Sequence, residues 1–221
     1  MKPIKLAAAT LISLASLTAH ASLLLEGVGN SASPLAGVHN FFYDNHYFDL
    51  GVNTDNMGYK LGSTAGVFDI TFTYLGAEAG AKNTFTAGGQ SLNNKTNTVG
   101  NFFTLSNVSL GAGDLLDFSF STDFNAPIPV GGGTLLNKDN HVDLNDKSLS
   151  FATLLLSDFR LNGSARLFDA ILLLDDTGGG RDDNHDDLAI GVTIKEVPEP
   201  SSVALLAAGL IGLAAARRRK A

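Results

Sequence analysis

Three features of the sequence predict an all-β domain, an antiparallel β-sandwich of jelly-roll-like form. Apolar residues alternate with a period of two in several separate runs, clusters of Gly, Asn, Asp and Ser divide those runs, and no long amphipathic helical pattern competes with them. The two ends depart from this pattern. They predict an N-terminal signal helix over 1–21 and a C-terminal hydrophobic helix within 197–221, leaving one β domain over 22–196.

Residues 1–21 begin with Lys2 and Lys5, continue with an apolar run from Leu6 to Leu17, and close on Ala19-His20-Ala21. This is the charged, apolar and small-residue order of a secretory signal, with signal peptidase cutting after Ala21. An exported chain commonly relies on disulfides, but this one has no Cys. Thiol catalysis and thiolate metal sites are excluded with them, so any metal must be held by oxygen or imidazole. The 14 Phe and abundant Leu, Val and Ile supply a core without cross-links.

The strands follow in order. Phe68, Ile70, Phe72 and Tyr74 fall on one face of a strand over 67–75, with Asp69, Thr71 and Thr73 on the other. Leu116, Phe118 and Phe120 alternate with Asp117, Ser119 and Ser121. The unbroken run Ile171-Leu172-Leu173-Leu174 predicts a strand covered on both faces, whereas Leu188, Ile190, Val192 and Ile194 alternating with Ala189, Gly191, Thr193 and Lys195 predict a half-buried one. Turn clusters at 76–80, 88–94, 111–114 and 131–133 separate the strands.

Between the last two runs, residues 175–187 hold six Asp around Gly178-Gly179-Gly180. Such crowding of carboxylates demands neutralisation if the loop is ordered, and calcium, which takes about 6–8 oxygen ligands, is the cofactor this pattern predicts. Its ligands would come from Asp175, Asp176, Asp182, Asp183, Asn184, Asp186 and Asp187. Asp182, Asn184 and Asp186 have the first three spacings of an EF-hand, but Asp187 stands where the loop needs Gly and Thr193 where it needs Glu. A solvated acidic turn is the competing reading of the same residues. The triplet Asp-Asn-His occurs three times, at Asp44-Asn45-His46, Asp139-Asn140-His141 and Asp183-Asn184-His185. It reads either as repeated turn chemistry or as loops converging on a cation or glycan site.

The tail reads Val197-Pro198-Glu199-Pro200, then an uncharged stretch over 201–216, then Arg217-Arg218-Arg219-Lys220. The two prolines end any strand or helix before them. Sixteen helical residues reach roughly 24 Å against a hydrocarbon core of about 30 Å, a marginal span that holds the chain in the membrane until it is processed. The basic cluster stays cytoplasmic, which places the body outside.

These three parts in order resemble the PEP-CTERM sorting signal of Gram-negative bacteria. The resemblance implies cleavage near Pro198-Glu199-Pro200 by exosortase, a membrane-embedded cysteine protease-transpeptidase, and residence in the cell envelope or extracellular matrix, commonly beside exopolysaccharide. Two stretches of the body, Tyr74-Leu75-Gly76-Ala77-Glu78-Ala79-Gly80 with Asn83 and Phe85, and 173–188, are similar to secreted β domains of unknown function.

Loss of Lys2, Lys5, Arg217, Arg218, Arg219 and Lys220 on processing lowers the basic count from 15 to 9 against 22 acids, a formal charge of −13. Nucleic acid is thereby excluded as a partner. No G-x-S-x-G, H-E-x-x-H or G-x-x-x-x-G-K pattern is present, and the scarcity of Glu leaves a glycosidase only Asp to recruit. The expected function is that of a non-enzymatic envelope or matrix protein. The alternatives are a carbohydrate-binding module with a groove at Tyr43, Tyr47 or Tyr59, and a secreted polysaccharide-degrading enzyme.

Overall fold

The computed structural model describes residues 23–26, 60–123, 133–140, 149–155, 168–176, 185–197, 208–212 and 217. Eleven strands are present among them: β1 (Leu23–Glu26), β2 (Lys60–Ser63), β3 (Gly66–Gly76), β4 (Asn83–Ala87), β5 (Gln90–Asn93), β6 (Phe102–Leu110), β7 (Phe118–Thr122), β8 (Thr134–Leu136), β9 (Ser150–Leu155), β10 (Ala170–Asp175) and β11 (Leu188–Glu196). A single 3-10 turn, Asn137–Asp139, follows β8.

Every pairing is antiparallel. A five-stranded sheet runs β6-β3-β11-β10-β9, a four-stranded sheet runs β5-β4-β7-β8, and β1 pairs with β2 alone. The period-two runs account for the layering. Phe68, Ile70, Phe72 and Tyr74 of β3 are all buried, as are Phe85 and Ala87 of β4 and Phe118 and Phe120 of β7. Their rings meet between the sheets. Phe72 stands 4.8 Å from Phe85, and Phe85 stands 5.3 Å from Phe120. Phe151 of β9 extends the cluster at 5.4 Å from Phe120. These centroid separations lie in the favourable range for tilted and edge-on aromatic pairs.

Two local devices set the registers. Gly88 and Gly89 occupy the two-residue loop between β4 and β5 with φ of 55° and 77°, the positive values that a type I′ hairpin requires at both positions. Asn107 in β6 has φ 57°, and there the pairing with β3 slips between Phe68 and Ile70, so a bulge reverses which side chains face inward.

The run Ile171–Leu174 is buried on both faces, as its composition predicts. β11 differs from its expected half-burial. Ala189 is buried as completely as Leu188 and Ile190, and a Cβ on Gly191 would meet the Phe168 ring at 2.5 Å. Phe168 therefore lies across the face that alternation alone assigns to solvent. β1 lies outside the span in which alternation is evident. It begins two residues after the expected cleavage at Ala21, in a run of three Leu too short to show a period of two.

Residues 208–212 are helical and exposed, as is Arg217. Among the described residues no helix is long and apolar enough to cross a membrane. The signal segment with Ala21, the residues Pro198, Glu199 and Pro200, and Arg218 and Arg219 lie outside the described residues.

Candidate functional site

The β10–β11 register pairs Leu174 with Leu188, so the residues just beyond each must face one another. Asp175 and Asp176 therefore come beside Asp186 and Asp187 at one end of the five-stranded sheet. Asp187 N–H donates to the Leu174 carbonyl at 3.1 Å, and the Asp176 N–H donates to Asp187 Oδ2 at 2.7 Å. All four carboxylates are buried: Asp175 is 0 % exposed, Asp186 2 %, Asp176 6 % and Asp187 7 %. These four carboxylates, the described part of the acidic segment, are not solvated.

Burial pushes the Asp187 carboxyl up to about 8, and the charges of Asp176, Asp175 and Asp186 add to the rise. The Asp176 N–H bond opposes it. Four carboxylates gathered in a buried corner raise the affinity of the site for protons and for cations.

The opposite sheet supplies a residue outside the acidic segment. Asn83, at the start of β4, is completely buried and points to the cluster. Its Nδ2 donates to Asp176 Oδ2 at 2.6 Å and to the Asp187 carbonyl at 3.2 Å. Both partners are acceptors, so the amide cannot be rotated without placing oxygen against oxygen. Asn83 Oδ1 is left buried with no hydrogen-bond partner among the described residues. An orphaned amide oxygen beside carboxylates is a hard donor of the kind calcium takes. Asn83 shares the inward face of β4 with Phe85 and Ala87. Sequence reasoning does not assign Asn83 to the site, and the one signal that could have found it is an Asn at a core-facing position.

The surrounding loop is fixed by one backbone bond and by side chains that bond its carbonyls. Glu78 N–H donates to the Asp186 carbonyl at 3.0 Å, while Asn94 Nδ2 holds the Ala81 carbonyl at 2.8 Å and Lys95 Nζ the Gly80 carbonyl at 2.7 Å. His185 has φ 51°, a left-handed turn entering β11, and its Nε2 lies 3.3 Å from Ser150 Oγ. Asn140 pairs through both ends of its amide with the backbone of Phe151, at 2.9 and 3.1 Å. One residue from each of two Asp-Asn-His triplets, Asn140 and His185, thus flanks the start of β9. Asn140 acts there as an extra strand residue, and His185 as a hydrogen-bonding partner. His46 and His141 lie outside the described residues, as do Asp182, Asp183 and Asn184 of the acidic segment and Tyr43, Tyr47 and Tyr59. Among the described residues no group of three or more His, Asp or Glu is arranged to hold a metal ion.

At the other end of β11 the sheet runs into the tail. Val197 N–H donates to the Val67 carbonyl at 2.8 Å, immediately before Pro198. No curated protein and no solved structure matches this chain. A family match is confined to the tail: residues 196–220 match the PEP-CTERM protein-sorting motif, which implies export, sorting to the cell envelope and processing by exosortase.

Proposed function

We propose that the chain is a non-enzymatic structural protein of the envelope or extracellular matrix, resident among exopolysaccharide once exosortase has processed it, with its buried acidic corner stabilised by calcium. The sorting motif at 196–220 carries this reading, because it follows the last strand directly and makes the β domain the cargo. Asn83 Oδ1 supports the calcium element. It places an uncharged oxygen donor from one sheet against carboxylates of the other, so a bound cation would bridge the two layers. The described carboxylates do not complete a ligand set, and the remaining oxygens would come from residues 177–184. When bound, the ion would offset the repulsion that now raises the Asp187 carboxyl.

Burial of Asp187 favours this structural role over acid catalysis, since a general acid must reach its substrate. Mass spectrometry of the protein from its native host tests the sorting. A mature N-terminus at Ser22 and no peptide beyond about Pro200 is the expected result. Intact Arg217 to Ala221 on most mature molecules would refute it.

A further inference from the structure

β5 and β6 are edge strands, each ending its own sheet on the same side of the sandwich. Between them lies an open groove of ≈ 580 Å³, with Leu92 and Phe103 at its base. Phe102 lines it while remaining 67 % exposed, an unusual position for a Phe in a domain whose other described Phe side chains on strands are buried. Around it stand Gln90, Ser91, Asn97 and Asn101. No lining residue carries a charge.

The polar wall is built in advance. Asn97 Oδ1 accepts the Asn93 N–H at 2.8 Å, Asn101 Oδ1 accepts the Thr98 N–H at 3.0 Å, and the Asn101 carbonyl accepts the Tyr74 N–H at 2.8 Å. These bonds fix the turn and leave other groups for a ligand. The side chains of Gln90 and Ser91 and the Nδ2 of Asn101 make no hydrogen bond among the described residues.

We propose that this groove binds a neutral oligosaccharide, with Phe102 stacking against the apolar face of a sugar ring and Gln90, Ser91 and Asn101 bonding its hydroxyls. Amides and hydroxyls both donate and accept, as adjacent sugar hydroxyls require, and an apolar floor with a few placed polar groups is the usual make-up of a small-ligand site. An anionic chain finds no cation here and meets a strongly acidic protein. The proposal rests on the matrix reading for its biological setting and on the groove's own chemistry for its ligand class.

The test is calorimetric titration of the full-length chain, held in a detergent without a sugar headgroup, with cellohexaose, laminarihexaose and maltohexaose. At least one should bind saturably. Phe102→Ala should weaken that binding about tenfold or more with no change in melting temperature, and Gln90→Ala should weaken it less. Absence of heat with all three, or equal affinity in wild type and Phe102→Ala, overturns the proposal. So does a dimer in sedimentation that Phe102→Ala dissociates while no sugar binds, which would make the groove a contact between copies of the chain. Correct mature termini in the host together with no sugar binding would remove the groove assignment and leave the sorting reading standing.

Discussion

Asp187→Asn separates the titration of one buried carboxyl from everything else in the acidic corner. Burial, then the charges of Asp176, Asp175 and Asp186, raise this group from 3.8 to about 8. The folded protein therefore holds a proton that the unfolded chain has already released. Stability from this group is complete below the unfolded value and is lost as pH rises through the folded one. Each pH unit within that interval corresponds to ~1.4 kcal/mol, so from pH 5 to pH 8 the calcium-free protein should lose on the order of 4 kcal/mol. That is a large share of a domain stability of about 5–15 kcal/mol. Asn at this position keeps an oxygen for the Asp176 N–H and does not titrate. Urea unfolding followed by far-ultraviolet circular dichroism, in chelator at pH 5, 6, 7 and 8, reads the difference. The two proteins should differ least at pH 5, and the advantage of the variant should grow steadily to pH 8. Parallel stability curves for wild type and Asp187→Asn would refute a proton-holding role for the cluster.

Calcium at about 100 times its dissociation constant should stabilise the wild type by about 2.7 kcal/mol, and Asn83→Ala should reduce the rise in melting temperature although it removes no charge. No shift at millimolar calcium would reduce the cluster to a proton-holding one. Gly191→Ala should destabilise by about 1–3 kcal/mol, because its methyl group must displace the Phe168 ring. Phe168→Ala in the same background should recover part of that loss, which a double-mutant cycle by chemical denaturation checks. Phe85→Ala, at the centre of the aromatic cluster, should cost about 3–5 kcal/mol without changing the strand content of a variant that still folds.

The strands that alternation reveals are those whose two faces differ throughout. β3 and β7 meet that condition, and their inward residues are the ones found in the core, whereas β10, buried on both faces, is revealed by its unbroken apolar run instead. β6 does not, because the bulge at Asn107 moves the apolar phase from Phe103 and Leu105 to Val108 and Leu110. A one-residue slip erases a period-two signal over nine residues. β5 is concealed differently. Gln90, Ser91 and Asn93 have the composition of a turn, and only Leu92 is buried, as suits a short edge strand. The crowding of Asp in 175–187 is evident from composition, but its burial is not. The Glu78 loop, bonded to the Asp186 carbonyl, and Asn83 of the opposite sheet reach that corner through contacts between residues far apart in the chain. Asn83 could be reached only by pairing a polar residue on an inward face with a charge cluster about a hundred residues later.

β11 connects these two regions and keeps them apart. Its nine residues, at about 3.4 Å each, separate the acidic corner at Leu188 from the sorting motif at Glu196 by roughly 30 Å. The strand lies between β3 and β10 as far as Val192, and its last residues, Thr193 to Glu196, pair with β3. Sheet bonding extends to Val197, and Pro198, having no N–H, cannot continue it. The matched motif therefore begins at the last residue of β11, with no linker between the two. The groove at Phe102 belongs to the opposite margin, since Phe102 pairs with Thr73 near the end of β3, while the motif adjoins the beginning of that strand at Val67. The groove and the acidic corner thus lie toward the end of the sheet opposite the one at which the motif begins, with the core between.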